Sequence, residues 1–280
     1  MTDQQTKFER FTALHSQNEA LVMPNPWDGG SARLLTSLGF EALATTSAGF
    51  AFAKGKRDSV VALTRAEVLA NAAEIVAATH LPVSADLGNG FGHAPDVCAQ
   101  TVRAACEVGL VGGSIEDATG DPAAPIYPFT EAVERVRAAA EAVRDLPFAV
   151  TARAENYLWG SADLGDTIER LQAFSEAGAD VLYAPGLPDL QAIKTVCQAV
   201  DKPVNVVMGL RGPTYSVAEL AEAGVRRISV GGSFARAALG AVMRAAREVR
   251  SSGTFTYAAD ALPGSVINEY LPPIEPDALP

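Results

Sequence analysis

Short apolar runs rich in β-branched residues recur along the chain, and each is followed by a longer stretch with helical spacing of apolar positions. The runs are 20–24 (ALVMP), 42–47 (ALATTS), 82–87 (PVSADL), 113–117 (GSIED), 148–155 (FAVTARAE), 181–185 (VLYAP), 203–209 (PVNVVMG) and 226–232 (RRISVGG). The first begins at 20 and the last at 226, so the repeat averages about 29 residues, close to the ~30 of one βα unit. Such short, almost uninterrupted apolar runs suit strands buried on both faces of a parallel sheet. Thr64-Arg-Ala-Glu67 has capping-box spacing and predicts a helix over 66–78. Pro95-Asp96 opens a helix over 97–108, and Thr130-Glu131 one over 132–143. Glycines at 39, 109, 178 and 224 each stand where a helix ends and the next strand begins. Eight such units predict an α/β fold, a (β/α)8 TIM-type barrel over residues 1–250 with an N-terminal helical segment. An open doubly wound sheet is the alternative, weakened because no G-x-G-x-x-G follows the first strand. Residues 251–280 are Pro-rich (LPG, LPPIEP, ALP) and form an arm that packs on the barrel or on a neighbouring subunit.

Composition narrows the function. The 280 residues carry 22 Lys and Arg against 33 Asp and Glu, a net charge of −11, which lacks the basic footprint of a nucleic-acid or anionic-membrane binder. A 48% hydrophobic content excludes a disordered chain. Three scattered cysteines, Cys98, Cys106 and Cys197, make neither a disulfide framework nor a zinc site. The first twenty residues lack the apolar segment of a secretory signal, and no run approaches the ~18 apolar residues of a membrane span, so a cytoplasmic protein is expected.

Active sites of such barrels gather at the C-terminal ends of the strands. The strand exits carry Asn25 and Asp28, Thr46 and Ser47, Asp86, Glu116 and Asp117, Arg153 and Glu155, Pro185, Asn205, and Gly231-Gly232-Ser233. Several carboxylates thus converge with a single arginine, an arrangement that needs a cation or protons to offset it. Oxygen donors without a His or Cys cluster suit a hard cation such as Mg²⁺, and Arg153 offers a bidentate fork to a substrate carboxylate. Helix capping or arginine pairing is the competing role for Asp86 and Glu116. The lysines (7, 54, 56, 194 and 202) miss the strands, which disfavours Schiff-base chemistry, and no nucleophile elbow is present.

At these residues the chain resembles the isocitrate lyase/phosphoenolpyruvate mutase superfamily. The likeness covers about residues 24–249. It is carried by Thr45-Thr-Ser-Ala-Gly49 leading to Gly55-Lys-Arg-Asp58, then Ser84-Ala-Asp-Leu-Gly-Asn-Gly-Phe-Gly92, Gly113-Ser-Ile-Glu-Asp117, Thr151-Ala-Arg153 and Val204-Asn205. The resemblance implies a barrel whose eighth helix is exchanged between subunits of a homo-oligomer, a dimer of dimers. It also implies Mg²⁺ (or Mn²⁺) and an α-keto or enol carboxylate ligand. By the same resemblance Asp86 is the direct metal ligand, Glu116 holds metal-bound water and Asp58 organises the metal shell. Thr46, Ser47, Ala48, Gly49 and Asn205 bind substrate, and Arg153 binds and polarises it.

The departures are informative. Where family members read D-x-D-x-G-[FY]-G, the second acid is here Gly88, with Asn89 or Asp117 as candidates to compensate. The K-[KR]-C-G-H sequence of isocitrate and methylisocitrate lyases is replaced by Ala118-Thr-Gly-Asp-Pro-Ala-Ala-Pro-Ile-Tyr127, without Cys, Lys or His, which disfavours those two activities. Tyr127 is the candidate general acid/base of that loop, with loop packing as its competing role. The expected function is a Mg²⁺-dependent lyase that cleaves a C–C bond of a small 2-oxo or 2-hydroxy carboxylate through an enolate, by retro-aldol cleavage or decarboxylation. The alternatives are a P–C bond enzyme acting on a phosphonate, with Lys54, Lys56 or Arg57 as its cations, and a non-catalytic keto-acid binder.

Overall fold

The structure is a computed structural model that describes residues 3–17, 19–59, 62–210 and 212–271. All eight predicted runs contain a strand: β1 (Leu21–Met23), β2 (Leu43–Ala44), β3 (Val83–Asp86), β4 (Gly112–Glu116), β5 (Ala149–Arg153), β6 (Val181–Tyr183), β7 (Val204–Val207) and β8 (Arg227–Ser229). Their ladders are parallel and follow the order β1-β8-β7-β6-β5-β4-β3-β2. The ring closes between β1 and β2 through the Ala44 N–H, which donates to the Pro24 carbonyl at 3.0 Å. Asn25 reinforces this seam. Its amide donates to the Thr45 carbonyl at 2.8 Å, and its Oδ1 accepts from the Val230 and Gly231 N–H groups at 2.9 Å each. One side chain at the end of β1 thus ties β2 to β8 and satisfies backbone groups that no ladder reaches.

Helices α1 (Asp3–His15), α2 (Gly29–Ser37), α3 (Ser47–Ala53), α4 (Arg65–Ala77), α5 (Pro95–Glu107), α6 (Phe129–Ala142), α7 (Leu164–Glu176), α8 (Leu190–Ala199), α9 (Val217–Glu222), α10 (Ser233–Ser252) and α11 (Gly264–Glu269) surround or flank the barrel. The Thr64–Glu67 capping box forms as predicted. Helix α5 begins at Pro95, a residue that tolerates the first helical turn because its missing N–H has no partner there. Helix α6 starts at Phe129 rather than at 132, with Pro128 at its cap. The second run is a strand for only two residues, because Thr46 caps α3: its Oγ1 accepts from the Gly49 N–H at 3.1 Å. Gly178 has a φ of +105° after α7, the left-handed position that lets the chain turn straight into β6.

The core fills the space between strands and helices. Val83, Ala85, Ile115 and Val150 face Ile75, Val102 and Phe148 on one side. Leu182, Val204 and Ile228 face Leu171, Phe174 and Leu220 on the other. Helix α1 lays Phe11 and Leu14 across the N-terminal mouth of the barrel, against Leu21, Met23 and Val111. The other mouth stays open, and that is where the strand-exit residues collect. Among the described residues no helix is long and apolar enough to cross a membrane.

His15, in the last turn of α1, is buried in this plug, with Nδ1 2.8 Å from the Phe11 carbonyl. Burial first and the Arg227 charge second hold its pKa down to about 4. The unfolded chain takes up a proton near 6.5 that the folded chain refuses until about 4, so stability is complete above about 6.5 and falls as pH drops through that window. The loss at pH 4 is on the order of 3 kcal/mol. Urea unfolding at pH 7 and pH 4.5 is expected to show a smaller acid-induced loss in His15→Gln than in the wild type; equal losses would contradict this account.

Candidate active site

Adjacent strands deliver the charged groups in register. Glu116 pairs with Arg153 across β4 and β5, and Arg153 with Tyr183 across β5 and β6. The Arg153 guanidinium lies over the Tyr183 ring, 4.9 Å from its centroid. It reaches three carboxylates: Glu155 at 2.7 Å, Asp86 at 3.2 Å and Glu116 at 3.4 Å. Asp86 is further held by the Ser47 hydroxyl, which donates at 2.7 Å, and by the Ser47 and Gly88 N–H groups at 3.3 Å each.

The environment sets the protonation tendencies. Burial pushes the Glu116 carboxyl well above the usual carboxylate range; Arg153 opposes this, while Glu155 and Asp86 add to it. Glu155 is raised for the same leading reason, again against Arg153. Burial works against the Arg153 charge, but Glu155, Glu116 and Asp86 together hold its pKa well above the ordinary value. Asp58 is raised by the surrounding protein and then by Asp86.

These groups line a cavity of about 420 Å³ at the C-terminal mouth, which takes in Ser47, Asp58, Asp86, Glu116, Arg153 and Glu155. A second cavity of about 60 Å³ lies beneath it in the barrel interior and shares Asp86 and Arg153 with the first. Thr46 and Asn205 line this lower cavity only. Asn205 is committed on both sides: its Oδ1 accepts from Arg227 Nε at 2.8 Å and its amide donates to the Ser229 hydroxyl at 3.1 Å. Ala48 and Gly49 line neither cavity, and the Gly49 N–H is taken by Thr46.

Tyr127 also lies away from both cavities. It is buried, its hydroxyl is 2.7 Å from His93 Nδ1, and the Arg135 guanidinium sits 4.1 Å over its ring. That is a packing environment at the base of loop 118–127, whose Gly120 and Pro122 do reach the cavity. Gly88 occupies a left-handed backbone with φ of +52°, a conformation that disfavours most side chains. Neither candidate compensator takes its place. Asn89 donates to the Thr119 carbonyl at 3.2 Å and accepts from the Phe91 N–H. Asp117 is 3.1 Å from Arg170 and accepts from the Glu155 N–H at 2.7 Å, and burial raises its pKa to about 6.

Glu155 is the additional member of the cluster. Its strand-exit position was visible, but its partnership with Arg153 depends on the chain turning just after β5. Among the described residues Arg153 is the one cationic side chain lining the large cavity. Lys54, Lys56 and Arg57 do not line it, and Lys56 is tied to Glu67 at 2.9 Å. No group of three or more His, Cys, Asp or Glu side chains among the described residues stands ready to hold a metal ion unaided.

A family model for phosphoenolpyruvate phosphomutase matches residues 11–250. The oxaloacetate decarboxylase of Chromohalobacter salexigens is 29% identical over 245 residues, covering 86% of this chain and 84% of its own. A Burkholderia cenocepacia J2315 protein described as a lyase/mutase superposes with a TM-score of 0.93 at 57% identity, over 96% of each chain. A 2,3-dimethylmalate lyase described as a PEP mutase/isocitrate lyase superfamily member superposes with a TM-score of 0.84 at 26% identity, over 96% of this chain and 94% of its own. With the barrel, the carboxylate cluster and the match in agreement, the chain belongs to the phosphoenolpyruvate phosphomutase family of the isocitrate lyase/phosphoenolpyruvate mutase superfamily.

Proposed function

We propose that this protein is a lyase that breaks a C–C bond of a small 2-oxo or 2-hydroxy carboxylate through an enolate, with Mg²⁺ as its cofactor and Mn²⁺ able to replace it. The observation that carries this reading is the sharing of one guanidinium by Asp86, Glu116 and Glu155 at the floor of a 420 Å³ cavity. Such a floor holds more negative charge than Arg153 can offset. The relatives that act on oxaloacetate and dimethylmalate support the reaction class. A phosphonate reading draws no support from the cavity, whose lining lacks Lys54, Lys56 and Arg57.

The donor set fits the cation. It is all oxygen and in excess, which suits a hard ion that keeps several waters and needs few direct protein ligands. Asp86 would bind it directly, with Glu116 and Asp58 holding its water shell. The bound ion would act as a Lewis acid on the substrate's oxygens.

The chain's own residues account for the rest. Arg153 receives the substrate carboxylate or keto oxygen with its planar fork and places positive charge where the enolate oxygen develops. Its orientation is set in advance by Glu155 at 2.7 Å and by the Tyr183 ring. Ser47 faces the cavity and orients Asp86 through its hydroxyl. Thr46, Ala48 and Gly49 act one layer out, by building the first turn of α3 that presents Ser47. Asn205 braces the barrel floor beneath Arg153, and Tyr127 anchors loop 118–127. Glu155, with its raised pKa, is the proton acceptor that this geometry favours.

A second copy of the chain completes the assembly in this reading. Helix α10 buries only Ala235, while Leu239, Val242 and Met243 are exposed along it and Phe255, Leu262 and Ile267 are exposed beyond it. An apolar face of this extent suits exchange of α10 between subunits.

Incubation with Mg²⁺ and candidate acids, following pyruvate, glyoxylate or oxalate release, is expected to show turnover that EDTA abolishes. Asp86→Asn should lower kcat/KM by at least ~100-fold; turnover equal to wild type, or none with any acid, would overturn the proposal. Val242→Lys is expected to shift the protein to a smaller species by light scattering, whereas an unchanged mass would remove α10 from the interface.

A further inference from the structure

The lining of the large cavity is of two kinds: four carboxylates with Arg153, and the apolar side chains of Leu63, Val68, Phe91, Pro122, Leu158 and Trp159. Resting on the lyase reading above, we infer that the leaving half of the substrate is uncharged and apolar, an aryl or branched-alkyl group. The substrate class is therefore a 4-hydroxy-2-oxo monocarboxylate rather than a di- or tricarboxylate or a phosphonate.

Three observations support this. First, the cavity is larger than a three-carbon keto-acid core needs, and apolar side chains share its lining with the charged groups. Second, the lining has four carboxylates, Asp58, Asp86, Glu116 and Glu155, and among the described residues only Arg153 opposes them. The keto-acid core takes up both Arg153 and the proposed cation, and the lining offers a second substrate carboxylate no further cationic side chain among the described residues. Third, the apolar wall is held in place before any ligand arrives. Leu158 and Trp159 are 54% and 40% exposed, yet they sit on a turn braced by Asn156. The buried Asn156 amide donates to the Ser161 and Asp163 carbonyls at 3.0 Å each and to the Thr167 hydroxyl at 2.8 Å. The same cavity is lined by Phe91, the one non-glycine among the described residues with a positive φ, at +63°. An aromatic residue kept in that strained conformation at a cavity wall is a mark of a functional position. Large side chains left uncovered on a rigid turn, together with a strained aromatic, form a pocket suited to an apolar group.

The chemistry balances without a redox partner. A carboxylate base, Glu155, takes the 4-hydroxyl proton and the C3–C4 bond breaks. C4 leaves as an aldehyde carrying the apolar group, and the bonding electrons move onto the C2 oxygen as the enolate of pyruvate. Protonation at C3 then gives pyruvate. Decarboxylation is disfavoured on the same ground, because its substrate brings a second carboxylate to the anionic floor.

The test compares two substrates with one core, 4-hydroxy-2-oxo-4-phenylbutanoate and its analogue with a carboxylate in place of the phenyl ring. Pyruvate release is followed with Mg²⁺ present, and deuterium exchange into the pyruvate methyl group is read separately by NMR. The phenyl compound is expected to be favoured by ~100-fold or more in kcat/KM, and Leu158→Arg should shrink or invert that preference. Methyl exchange together with equal cleavage, preferred cleavage of the charged analogue, or cleavage of neither would overturn the apolar assignment and leave the enolate reading standing. Absence of both exchange and cleavage would overturn the two together.

Discussion

The guanidinium of Arg153 is the contact on which the mouth of this barrel depends. Three carboxylates from β3, β4 and the turn after β5 gather on one guanidinium, and two of them, Glu116 and Glu155, are buried. Without a cation they would have to be protonated or driven apart. Arg153 makes the arrangement tenable because its planar fork reaches several oxygens at once and its position in β5 is fixed by ladders on both sides. Burial first, and neighbouring carboxylates after it, raise the pKa values of Glu116 and Glu155 against the pull of Arg153.

The interior below the site follows the same logic at lower charge. Barrels of this kind usually fill their centre with branched apolar residues. Here Arg227, Asn205, Thr151 and Ser229 form a hydrogen-bonded layer, with Arg227 donating to Asn205 at 2.8 Å and to Thr151 at 3.1 Å. Burial first, and then the like charge of Arg153, lower the Arg227 pKa to about 10. Tyr183 lies under the Arg153 guanidinium and feels the charge of both arginines. Asn25 closes the seam at the same level as the strand exits, so closure of the ring and construction of the site share residues rather than competing for them.

Much of the candidate site was legible as residue types at strand exits, Asp86, Glu116, Arg153 and Ser47, with Asp58 supplied by the family resemblance, and all five line the large cavity. Three other candidates do not line that cavity, for physical reasons. Thr46 is taken by the cap of α3, Asn205 by Arg227, and Tyr127 by His93 and Arg135. Each is a polar side chain with a near neighbour that satisfies it, and such a neighbour is remote in sequence for all but Thr46. The apolar wall was the least visible part. Leu158 and Trp159 carry no chemical signature, and only the fold of the turn held by Asn156 turns them toward the charged floor.

The sequence by itself determined the alternation of eight strands with helices, the capping box at Thr64 and the set of acids at the strand ends. These are local properties, set by side-chain periodicity, turn chemistry and backbone preference within a few residues. Tertiary structure decided which acids share Arg153, that Glu155 joins them, and that β1 and β2 close through Asn25 rather than through a full ladder. It also decided that four carboxylates and a set of apolar side chains share one cavity. Apart from the Arg153–Glu155 pair, which a local turn brings together, those outcomes depend on distances between residues tens of positions apart, which exist only once the sheet has curled into a ring. The mean spacing of about 29 residues announces the ring, but where each side chain stands on its rim is settled by register and by the neighbours that packing supplies.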